Sequence, residues 1–130
     1  MKRLLIVVMF TAMIGTKAHA AQVIGGRPAA CAPYKQTIGR YCGCALSIMF
    51  FGRPRPDLFL AVRWKRFQRV QPAPDMVAAR SGHVMKLLHH VSGSVWRVYD
   101  PNGGRGLTWI HDRSVRGYTF HNPRAYANAN

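Results

Sequence analysis

The chain contains no glutamate. Its acidic side chains are Asp57, Asp75, Asp100 and Asp112, set against 19 lysines and arginines in 130 residues, for a formal charge of +15. So lopsided a balance excludes a charge-neutral surface and favours anionic surroundings: wall polymers, phospholipid headgroups or nucleic acid. No stretch has the carboxylate–histidine spacing of a zinc protease. His89 and His90 are adjacent, and on a strand they point to opposite faces, so they cannot both hold one metal ion. No metal or cofactor is therefore expected. Internal repeats and low-complexity tracts are also missing. No recognised nucleic-acid-binding module is present, so a nucleic-acid partner is not expected.

The one long apolar run, Leu4 to Ile14, is too short for the roughly 20 residues that a bilayer span needs. It follows Lys2 and Arg3 and precedes Ala18-His19-Ala20, the tripartite pattern of a signal peptide cleaved after Ala20. Ala21 rather than cysteine comes next, so no lipid anchor is expected. The predicted product is secreted or periplasmic. Without Lys2, Arg3 and Lys17 it keeps 16 basic residues against 4 acids, or +12. About 110 residues make one small domain with one modest core. Cysteines number three, an odd count for an exported chain. Cys42 and Cys44 are too close to pair comfortably with each other. Cys31–Cys44 is the favoured bridge, leaving Cys42 free; Cys31–Cys42 is the alternative, and it would leave Cys44 free.

Residues 21–40, rich in Gly, Pro and Ala, read as an irregular lead-in. Ala45 to Phe51 reads as a helix stopped by Gly52, with Pro54 and Pro56 beyond. Asp57 to Val70 reads as a second helix, with Leu60, Trp64 and Phe67 at i, i+4, i+7. Its other side carries Arg63, Lys65, Arg66 and Arg69, a basic stripe that is ordinarily a solvated face. Strands are then expected at Met76 to Ala79, His83 to Val91, Val95 to Asp100, Leu107 to Ile110 and Tyr118 to His121. Asn102-Gly103-Gly104 is a turn signal. Gly103-Gly104-Arg105-Gly106 joins two strands and so reads as a hairpin loop, not a phosphate cradle. Helices followed by an antiparallel meander make an α+β fold. The domain is expected over 41–122, with 123–130 a disordered tail.

Three elements carry chemistry. Cys42 opens the first helix, where the helix dipole favours negative charge. His83 opens a strand 41 residues later, and Asp100-Pro101-Asn102 ends the next strand. A thiol needs a base that later protonates the leaving group, and the base needs a partner that fixes its tautomer. His83 suits the first role; Asp100, with Asn102 close behind, suits the second. Oxyanion donors would be the Cys42 N–H plus a side chain upstream, for which Gln36 and Tyr41 are the candidates.

These residues resemble the CHAP group of cysteine, histidine-dependent amidohydrolases and peptidases, a branch of the papain-like superfamily. The resemblance spans roughly residues 40–122. Cys42 matches its nucleophile, Pro74-Asp75-Met76-Val77 its lead into the first strand and Gly82-His83-Val84 its Gly-His-Val. Asp100-Pro101-Asn102 falls where the family has Glu-x-Asn. Tyr41 stands where the family usually has Gln, and Cys44 where it often has Trp. The resemblance implies N-terminal helices packed on a small antiparallel sheet and an exported thiol hydrolase of amide bonds in peptidoglycan peptides. The alternatives are an inactive member of the fold that binds the anionic envelope, and a cationic protein acting on anionic membrane surfaces.

Overall fold

A computed structural model describes residues 19–35 and 40–127. Among these, the chain forms β1 (Gln22–Gly25), α1 (Cys42–Phe51), β2 (Phe67–Arg69), β3 (Val77–Arg80), β4 (His83–Ser92), β5 (Val95–Gly104), β6 (Leu107–Ser114) and β7 (Thr119–Tyr126). Three 3-10 segments, Ala29–Tyr34, Pro56–Leu58 and Ala61–Arg66, fill the gaps before the meander. The strands pair antiparallel throughout, in the order β1-β6-β5-β4-β3-β7-β2. The fold is mixed α+β and mostly β. Successive hairpins build β3 to β6, and β7 then crosses over to pair with β3.

Alternation along the strands sends side chains to two apolar clusters. Val77 and Ala79 of β3 and Val84 of β4 pack with Leu46, Leu58, Trp64 and Phe67 beneath α1. Ala78 and Met85 go to the other cluster, with Trp96, Val98, Val115 and Tyr118. Period-two patterning thus buries both faces of the central strands. α1 begins at Cys42, the residue expected to open it, so the helix takes in Cys42 to Cys44 as well as Ala45 to Phe51, and Gly52 ends it in the left-handed region at φ 75°. The Gly52 N–H donates to the Ile48 carbonyl at 2.8 Å.

The helix expected over Asp57 to Val70 does not form. Two 3-10 segments and β2 occupy that stretch, with Leu60 extended between them. In an α-helix the Leu58 carbonyl would accept from the Val62 N–H. Here it accepts instead from the indole N–H of fully buried Trp64, at 2.9 Å. A buried indole needs an acceptor, and this one displaces the helical ladder. Trp64 and Phe67 do point inward, whereas Leu60 is 57% exposed. Arg63, Lys65 and Arg69 are exposed, as a solvated face requires.

The ends of the domain also differ from expectation. The lead-in is not wholly irregular: β1 pairs with β6, and Ala29–Tyr34 forms a 3-10 segment. The sheet runs to Tyr126, past the expected tail boundary at 123, and Pro123 is fully buried. The leader lies outside the described residues except at His19 and Ala20, whose carbonyls accept from the Arg97 guanidinium at 3.3 and 2.7 Å. No helix among the described residues is long and apolar enough to cross a membrane.

Close approach of backbones fixes the start of α1. A Cβ on Gly43 would lie 2.3 Å from the Leu58 carbonyl oxygen and 2.5 Å from that of Phe59. Neither carbonyl can swing away as a side chain would. We expect Gly43→Ala to destabilise the fold by about 1–3 kcal/mol in thermal or denaturant unfolding. Gly26→Ala, with nothing within 4 Å of the new methyl, should stay within about 0.5 kcal/mol. Equal effects from the two changes would refute this account of the helix start.

Candidate active site

Cys42 is the first residue of α1, and the first helical hydrogen bond joins the Ala45 N–H to the Tyr41 carbonyl at 2.8 Å. The N–H groups of Cys42, Gly43 and Cys44 accordingly have no acceptor within the helix. Cys31 and Cys44 form a disulfide with Cα atoms 6.1 Å apart, which ties the preceding segment to the helix. Cys42 is a free, buried cysteine, 2% exposed.

His83 meets Asp100 because β4 and β5 are antiparallel neighbours, so the start of one lies beside the end of the other. The His83 Nε2 stands 2.5 Å from Asp100 Oδ1. An ionised carboxylate only accepts, so Nε2 carries the hydrogen and donates it. The Cys42 side chain is near enough to the His83 ring to raise its pKa. With Nε2 committed to Asp100, Nδ1 is the ring nitrogen that the carboxylate does not use.

Asp100 is fully buried and accepts two further bonds at its other oxygen, from His111 Nε2 and from the Arg113 guanidinium, each at 2.7 Å. Burial works against the charge of both Asp100 and His83. The three donors outweigh it at Asp100, led by His83, and hold that carboxyl at about 2. The Asp100 bond and the nearby Cys42 outweigh it at His83 and hold the imidazole at about 9. His83 is therefore an imidazolium at neutral pH, balanced by a carboxylate.

Asn102 does not share the orienting role. Pairing shifts register between Asp100 and Gly104, and Asn102 sits in this bulge at φ 55°. Its place is in a cleft beside His83. The turn signal at Asn102-Gly103-Gly104 therefore marks the bulge, and the chain reverses one step later, at Arg105 and Gly106. Gly103 is required there, since a Cβ would fall 2.3 Å from Asp100 Oδ2.

Tyr41 is not free to serve an oxyanion. Its hydroxyl donates to the Gly106 carbonyl at 2.9 Å and lies 3.1 Å from Thr108 Oγ1, which latches the helix start to the β5–β6 hairpin. Gln36 lies outside the described residues. His111 and Arg113 escaped the sequence reading, because β6 was expected to end at Ile110. Their two-residue spacing was the available signal. His89 and His90 are both exposed, and His90 Nε2 donates to the Gly93 carbonyl at 2.8 Å. Among the described residues no group of three His, Cys, Asp or Glu side chains could hold a metal ion.

Comparison with protein-family models, curated proteins and solved structures gives no match for this chain.

The pH dependence follows from the two shifts. His83 is raised from 6.5, so its contribution to stability is full below 6.5 and lost as pH rises through about 9. Asp100 is lowered from 3.8, so its contribution is full above 3.8 and lost as pH falls through about 2. NMR titration should give a His83 midpoint near 9. Asp100→Asn should lower that midpoint, because burial then acts with less opposition. An unchanged midpoint would show that Asp100 does not set the charge of His83.

Proposed function

We propose that the protein is an exported thiol hydrolase of papain-like, CHAP-like type, cleaving amide bonds in peptidoglycan peptides. The observation that carries this reading is the convergence on one imidazole of a free thiol at a helix start and a fully buried carboxylate. A carboxylate that fixes Nε2 leaves Nδ1 to exchange a proton with sulfur, which is the division of labour nucleophilic thiol chemistry needs.

In this mechanism Cys42 Sγ attacks the amide carbon as the thiolate of a thiolate–imidazolium pair with His83, which already holds the proton. The carbonyl oxygen takes up the electron pair and draws on the N–H groups at the start of α1 that have no acceptor within the helix. As the C–N bond breaks, His83 returns the proton to the departing amine, leaving a thioester on Cys42. Water then adds to the thioester with His83 as base. Collapse releases the carboxylic acid and restores the thiol.

The Cys31–Cys44 disulfide supports export, since such bonds persist in oxidising compartments. Exposed Arg63, Lys65 and Arg69 suit adhesion to an anionic envelope polymer. One observation favours an inactive, envelope-binding member of the fold: Cys42 exposes only 2% of its surface and packs within the apolar cluster beneath α1.

Turnover of cell-wall peptides separates the readings. Cys42→Ser should lower it by about a thousandfold or more, with wall binding unchanged. Wall lysis that survives in that variant contradicts the thiol mechanism and favours the cationic, membrane-active alternative. Wall binding without lysis by the unaltered protein favours the inactive one.

A further inference from the structure

Beside His83 the surface opens into a cleft of about 200 Å³, bordered by Arg40, Arg80, Arg113 and Asn102. Three guanidinium groups and an imidazolium thus border one small hollow. Arg113 is tied to Asp100 at 2.7 Å. Arg40 donates to the Gly82 carbonyl at 3.0 Å, and Arg80 lies over the Tyr118 ring at 4.8 Å. Neither Arg40 nor Arg80 has a carboxylate partner among the described residues. Tyr118, under Arg80, also has a buried hydroxyl with no hydrogen-bond partner among them.

Cations gathered in a concavity repel one another unless an anion joins them, and the hollow concentrates their field. Guanidinium forks match a planar carboxylate, which they can hold with two parallel hydrogen bonds. The volume is below the several hundred Å³ of a drug-sized site, so it suits one small residue. Position then says which residue. His83, not Cys42, borders the cleft, and His83 is the group that protonates the departing amine.

We propose that the cleft binds the free carboxylate of the residue on the leaving-amine side of the scissile bond, a placement that rests on the thiol-hydrolase reading above. The protein would then release a small residue from the carboxyl end of a peptide. Interior amides, which offer no charge at that position, would be poor substrates.

Binding tests this without any turnover. The full chain carrying Cys42→Ser, with labelled histidine, is titrated with N-acetylalanine and with N-acetylalaninamide while the His83 signals are followed. The acid should shift them saturably, and the amide should bind at least about tenfold more weakly. An Arg40→Gln, Arg80→Gln double variant should lose at least about tenfold for the acid, with its unfolding temperature confirming that it is folded. Equal binding of acid and amide overturns the proposal, and that comparison needs no arginine variant. Unchanged acid binding in the folded double variant also overturns it. Tight acid binding joined to absence of hydrolysis in the unaltered protein contradicts the hydrolase reading alone and leaves the carboxylate cleft standing.

Discussion

A carboxylate with no exposed surface is the constraint around which this small domain is arranged. Burying the Asp100 charge without partners would cost several kcal/mol. Three donors from two other strands offset that cost: His83 at the start of β4, and His111 and Arg113 on β6. Each donor depends on strand register, because a one-residue slip would send its side chain to the other face. The bulge after Asp100 completes the arrangement, with Gly103 leaving room that any side chain would fill. The interaction that orients His83 therefore also pins β4, β5 and β6 to one another.

Scarcity of acids gives the rest of the electrostatics its pattern. All four carboxylates are engaged: Asp57 with Arg55 and Arg66, Asp75 with Lys86, Asp112 with Arg97, and Asp100 within the site. The pair between exposed Asp75 and half-buried Lys86 lies at the surface, where such pairs contribute little to stability in water. The acids thus neutralise specific cations and leave some arginines without a carboxylate partner among the described residues. Arg40 and Arg80 are among the latter, and both stand at the cleft beside His83. A positive hollow next to an imidazolium follows from where the acids are spent.

The chemistry-bearing positions were more legible in the sequence than the elements that carry them. Cys42, His83 and Asp100 were readable because a cysteine before an apolar helix and two strands split by Ser92-Gly93-Ser94 leave strong local signals. Strand periods at 77–79 and 83–87 were equally plain. The stretch from Asp57 to Val70 misled because its apolar spacing is helical, while the buried Trp64 indole takes the carbonyl that a helix would use. That competition is tertiary and leaves no local trace. β1 was hidden for a related reason: Gln22–Gly25 is an edge strand, exposed along most of its length, whose partner lies far along the chain. Tyr41 could be assigned only once the β5–β6 hairpin had been placed, since its hydroxyl bonds Gly106 and Thr108.

In the proposed mechanism Asp100 readies Cys42 for reaction by holding His83 in its charged form beside it. Intact-mass spectrometry after exposure to iodoacetamide at neutral pH tests it most directly, because it reads the thiol without assuming a substrate. The account predicts one adduct, located on Cys42 by fragmentation, with Cys31 and Cys44 unmodified. It predicts the same adduct forming at least about tenfold more slowly in Asp100→Asn, once that variant is shown to be folded. An unmodified Cys42, or an equal rate in the two proteins, would contradict it.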